Sequence, residues 1–113
     1  MVKIEITQSL FEELEKKFKK DASKIYDLME SLITSPSKGK IVGTVGGIVV
    51  KELKYEGFRF YFLADGFKLK FMHEDDLVDI LFRFVRMSDK KHQQQTIDEI
   101  KFILKTIGPK GFE

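Results

Sequence analysis

The stretch from Ile48 to Arg86 constrains the fold most strongly, because its β-branched and aromatic residues come in short runs cut by turn signals. The runs are 48–54, 58–63, 67–71 and 77–86; the breaks are Tyr55-Glu56-Gly57, Asp65-Gly66 and Glu74-Asp75-Asp76. Runs of that length, rich in residues that fill a pleated surface, predict strands joined by hairpins. An antiparallel meander is therefore expected. In the second run Phe58, Phe60 and Phe62 share one parity while Arg59 and Tyr61 share the other. Successive strand residues point to opposite faces, so the phenylalanines should be core and Arg59 should face outward.

The flanks predict helices. Val2, Ile4 and Ile6 alternate with Lys3, Glu5 and Thr7, which reads as a short strand. A helix should follow, capped by Ser9 with Glu12 or else by Thr7, with Leu10, Leu14 and Phe18 on its buried stripe. Asp21 or Ser23 can cap a second helix with the stripe Ile25, Leu28, Met29, Leu32 and Ile33, and Ser35-Pro36 stops it. Two helices so tightly joined form a hairpin. Gly39, Gly43, Gly46 and Gly47 mark a loop with a short strand at Ile41-Val42 and a Gly-Gly turn. A phosphate-cradling loop would place Lys-Ser or Lys-Thr after its last glycine, whereas Ile48 follows Gly47. A last helix runs from about Ser88 or Thr96 to Ile107, with Ile97, Ile100, Ile103, Leu104 and Ile107 on one face and Gly108-Pro109 as its stop. The expectation is a single α+β domain over residues 1–113: strand, helical hairpin, antiparallel meander and C-terminal helix, with helices against one face of the sheet.

Composition narrows the function classes. With 113 residues and no Cys, disulfides, Cys-ligated metal centres and thiol catalysis are excluded. No apolar stretch approaches the ~18 to 20 residues a membrane span needs, and the N-terminus lacks the layout of a signal peptide, so a soluble cytoplasmic protein is expected. Net charge is only +2, but residues 36–71 hold seven basic and three acidic groups. The middle of the chain is its positive part.

Three stretches resemble the RelE/ParE toxin superfamily, most closely its HigB-like branch. Glu52-Leu53-Lys54 is similar to that family's Glu-Leu-Arg strand, and Gly57 to Phe62 to the aromatic-alternating strand after it. Phe84-Val85-Arg86-Met87-Ser88-Asp89-Lys90-Lys91 is similar to the segment that leads into its final helix. The resemblance implies a RelE-like fold and a type II toxin paired with a cognate antitoxin, as a homodimer or a toxin–antitoxin heterotetramer. It implies either cleavage of mRNA on the ribosome or, for a ParE-like or inactive relative, binding of a protein target such as gyrase. Val50 and Glu52 stand where basic residues are usual in the RelE branch, Met87 stands where a second basic residue is usual, and no Tyr follows Tyr61.

Cleavage without metal or cofactor has the 2'-hydroxyl attack the adjacent phosphate. The site must then accept a proton, stabilise charge on phosphorus and protonate the leaving oxygen. Arg59 and Arg86 are the expected phosphate clamp, and His92, whose ordinary pKa lies near neutrality, is the expected proton carrier. Lys54, Lys90, Lys91 and Arg83 are expected to contact RNA, and Tyr61 to stack on a base. Each has a plainer reading: Arg59 paired with Glu52 or Glu56 across the hairpin, Tyr61 packed in the sheet, His92 at a solvated helix entrance. His73, Glu74, Asp75, Asp76 and Asp79 read as a solvated acidic turn, since their spacing fits no calcium loop.

Overall fold

The computed structural model describes residues 1–70 and 79–112. The elements are β1 (Val2–Ile6), α1 (Gln8–Phe18), α2 (Ala22–Glu30), β2 (Lys40–Val45), β3 (Ile48–Tyr55), β4 (Phe58–Asp65), α3 (Gly66–Lys70), β5 (Ile80–Asp89) and α4 (Gln93–Thr106). Short 3-10 turns follow α1, α2 and α4.

Among the described residues the strands form one sheet in the order β1-β5-β4-β3-β2. From β2 to β5 it is antiparallel and pairs in chain order as a meander is expected to, but with β2 as a full strand and without the strand expected at 67–71. β1 departs from it, adding in parallel to β5 and making the sheet mixed. The β1 pairing continues through the Thr7 N–H, which donates to the Phe84 carbonyl at 3.0 Å, and Thr7 then turns the chain into α1. Its hydroxyl accepts from Leu10 N–H at 3.4 Å, so Thr7, not Ser9, is the cap.

The α1–α2 hairpin packs on one face. Leu10, Leu14, Ile25, Met29 and Leu32 meet Phe60, Phe62, Phe82 and Phe84, all fully buried or nearly so. Phe62 makes an edge contact with Phe82 at 5.3 Å and a tilted one with Phe84 at 4.8 Å. Each such ring contributes roughly 1.5–3 kcal/mol through burial. Ile33 departs from the expected stripe and is half exposed, because the chain has already tightened into a 3-10 turn there.

The expectation of helices on one face only is corrected by α4. Ile97, Ile100 and Leu104 pack on the opposite face against Val50, Tyr61, Leu63 and Val85. Where α4 lies, the sheet is covered on both sides, and the strand parity under it does not face water. Gly108 ends this helix at φ +99, its N–H returning to the Ile103 carbonyl at 3.0 Å.

Residues 66–70 are helical, not the start of a strand. Asp65 Oδ1 accepts from the N–H groups of Phe67 and Lys68 at 2.9 and 3.1 Å, a local cap that converts the expected hairpin turn into a helix start. The expected strand end at Phe71, the strand start at Leu77 and the acidic turn with His73 lie outside the described residues. Asp79 holds the N-terminal ammonium at 3.0 Å.

Candidate functional site at one end of the sheet

Strand register gathers polar side chains into two rows on the face that carries α4. Across β3, β4 and β5 runs Lys54, Arg59, Ser88; beside it runs Lys40, Glu52, Tyr61, Arg86, extended onto β2. Adjacent strands lie about 4.8 Å apart, so each row is a line of near neighbours. Toward the other end of the same face the pairing becomes apolar, with Val50 opposite Leu63.

A β-bulge makes the second row possible. Tyr61 pairs with Arg86 while Phe62 pairs with Phe84, so Val85 is the extra residue. Val85 and Arg86 both end on the α4 face, Val85 in its core and Arg86 reaching the helix. Arg86 Nε donates to Glu99 Oε1 at 2.9 Å and Nη1 to the Val85 carbonyl at 2.8 Å, while its guanidinium lies 5.1 Å from the centre of the Phe112 ring.

Arg59 does not face outward: it is only 8% exposed. The parity split was read correctly, but α4 closes the face that Arg59 shares. Its Nη1 makes a long hydrogen bond to the Gly57 carbonyl at 3.4 Å, and its Nε is buried without a partner. No ion pair joins it to Glu52, since both Glu52 oxygens are also buried without a partner, with the residue 2% exposed. Tyr61 is fully buried, which removes it as a base-stacking surface, and its hydroxyl shares a 2.8 Å hydrogen bond with Ser88 Oγ. Burial pushes the Tyr61 hydroxyl up from its ordinary range; the Ser88 bond and the Arg59 charge oppose that, and the Glu52 charge adds to it.

The rim of this end is cationic and exposed. Lys54, Lys90 and Lys91 stand in solvent beside the β3–β4 turn and the β5–α4 junction. His92 precedes α4, and its Nδ1 lies 2.8 Å from Asp89 Oδ1, which also accepts the His92 backbone N–H at 2.8 Å. That backbone hydrogen bond, then the imidazole contact, holds the Asp89 carboxyl below its ordinary value. The Nδ1 contact turns Nε2 away from Asp89, the arrangement in which a carboxylate orients a histidine that exchanges protons. Arg83 lies away from the polar rows, opposite Leu63, with Nε on Glu5 at 2.8 Å and Nη1 on the Pro109 carbonyl at 2.9 Å.

The structure therefore brings Lys54, Arg59, Tyr61 and Arg86 together on one face, sets Lys90, Lys91 and His92 at its margin, and leaves Arg83 apart. Sequence reading missed Glu52 as a site residue. Its parity with Lys54 was the available signal, since any residue in step with Lys54 on β3 must share the face of Arg59. Among the described residues no group of His, Asp and Glu could hold a metal ion, and no helix is long and apolar enough to cross a membrane. Compared with known proteins, the chain matches no family model, no curated protein and no solved structure.

Proposed function

We propose that this chain is the toxin of a toxin–antitoxin pair, with a RelE-like fold, binding messenger RNA on the ribosome at the cationic end of its sheet and cleaving it there. It would act in the cytoplasm and be neutralised by a cognate antitoxin protein. The observation that carries the reading is a His92 ring held by Asp89 among exposed lysines, beside a buried polar row in which both Glu52 carboxyl oxygens and Arg59 Nε lack hydrogen-bond partners. Unsatisfied buried groups cost stability and concentrate where function requires them.

In this reading Lys54, Lys90 and Lys91 contact the phosphates and His92 Nε2 carries the proton. The Arg59–Arg86 clamp expected from sequence is not preformed: Arg59 is sealed and Arg86 is held by Glu99. Arg59 would reach a phosphate only if the groups that bury it move aside. Those two placements favour a second reading, in which the fold arrests growth by binding a protein target without cutting RNA. Induction in a bacterial host followed by primer extension on abundant messages separates them. New 5' ends that vanish in His92→Ala support cleavage; growth arrest with intact messages, unchanged in His92→Ala, supports binding alone.

A further inference from the structure

Among the described residues the sheet ends on two edge strands, β1 and β2, and they are built differently. β2 carries Lys40, a bulge between Ile41 and Gly43, and a glycine against Lys101 of α4. Lysines, bulges and covering side chains are the devices that keep an edge from pairing. β1 has no bulge in its pairing.

Met1 O and Thr7 N are both bonded to β5. By alternation Lys3 and Glu5 point their backbone groups inward too, and the N–H and C=O of Val2, Ile4 and Ile6 face outward along the edge. The same residues put their half-buried side chains on the hairpin face, beside a groove lined by Ile4, Ile6, Phe11, Tyr26, Met29 and, as its one charged member, Glu30. Phe11 there is 40% exposed and stacks on Tyr26 at 5.9 Å. Lys3 and Glu5 are exposed on the other face.

We propose that β1 pairs with β1 of a second copy of this chain, antiparallel and centred on Ile4, joining two sheets into one. Charge complementarity selects a second copy as the occupant. About that centre Lys3 of each copy falls opposite Glu5 of the other, a carboxylate that Arg83 of its own chain also contacts at Oε1, and Val2 falls opposite Ile6. The centred register also makes Ile4 a hydrogen-bonded pair with itself, which matches the outward direction of its backbone groups. Shifting the register by one residue sets lysine or glutamate against isoleucine. Apolar side chains from both strands then continue the hairpin-face groove across the axis, and the exposed face of Phe11 borders it. This inference does not depend on the proposed function.

Sedimentation equilibrium of the intact chain over a wide concentration range tests it. A reversible dimer of micromolar strength is expected, since a five-residue strand pair with an apolar margin is a small interface. Lys3→Glu places like charges opposite at both ends and should weaken the dimer on the order of tenfold. The double variant Lys3→Glu with Glu5→Lys restores the opposite-charge pairs and should restore association. Ile4→Pro removes the central outward N–H without touching the bonds to β5, and should leave a folded monomer by circular dichroism. A monomer at every concentration overturns the proposal, as does a dimer indifferent to Lys3→Glu, or a weakened one that the double variant fails to rescue.

Discussion

The two faces of the sheet come from the same strands and bury different chemistry. Under the α1–α2 hairpin the contacts are Phe60, Phe62, Phe82 and Phe84 against leucine, isoleucine and methionine. Under α4 the apolar packing stops part-way, and Glu52, Arg59, Tyr61 and Ser88 continue it as buried polar groups. Apart from the buried Lys51, whose Nζ donates to the Ser37 carbonyl at 3.2 Å, the first face is what stability alone would select. The second carries a carboxylate without a hydrogen bond, a feature that an apolar side chain of similar volume would remove at no cost or at a gain. The difference teaches that this end of the sheet carries buried polar groups that packing alone would not select, which is what the proposed function builds on.

Substitutions sharpen that contrast. The largest effect is expected on the hairpin face, where Phe62→Ala removes a fully buried ring that touches two others. It should cost about 3–5 kcal/mol in urea denaturation. On the α4 face Tyr61→Phe leaves the Ser88 hydroxyl buried without its partner and should cost about 1–3 kcal/mol.

The faces should also differ in alkaline solution. Tyr61 keeps its proton in the folded state above its ordinary 10.0, so the unfolded chain releases a proton first and stability falls as pH rises through that value. Tyr61→Phe flattens this decline. Lys51, on the hairpin face with Nζ on the Ser37 carbonyl at 3.2 Å, is pushed the other way by burial, below its ordinary 10.5. The unfolded chain binds its proton more tightly, so stability rises with pH from the folded value up to 10.5, and Lys51→Met removes that rise. Stability measured across pH 8 to 11 in the two variants should show slopes changed in opposite senses.

The smallest effect belongs to the rim. Asp89 is held ionised by the His92 N–H, so its contribution is present above its ordinary 3.8 and lost as pH falls through its lowered folded value. Asp89→Asn keeps a capping oxygen and should flatten only the acid limb of the stability curve.

Much of this contrast was legible in the sequence, because it rests on local period. The alternation of Phe58, Phe60 and Phe62 with Arg59 and Tyr61 set the two parities of β4, and the stripes of α1 and α4 marked most of what each helix buries; Ile107, expected on the α4 stripe, lies just past the helix and is 69% exposed. Three features were not legible, each for a physical reason. The parallel return of β1 onto β5 is a pairing across more than seventy residues, with no local signal. Helix α3 hangs on one Asp65 oxygen, and the same Asp-Gly pair suits a hairpin turn equally well. The face that α4 covers is decided by packing, so its stripe showed that something is buried without showing that Arg59 lies on that face. Glu52 was read only as a partner for Arg59 across the hairpin, although its step from Lys54 already placed it on the face of Arg59 and Tyr61.

Glu52→Met tests the central claim most directly, with urea denaturation and growth arrest on induction measured on the same variant. Methionine matches the side chain in length and needs no hydrogen bond. If the polar row serves function, the folded state is as stable as the parent or more so, and the arrest is lost. A variant destabilised by several kcal/mol, or one that still arrests growth at full strength, would contradict the account.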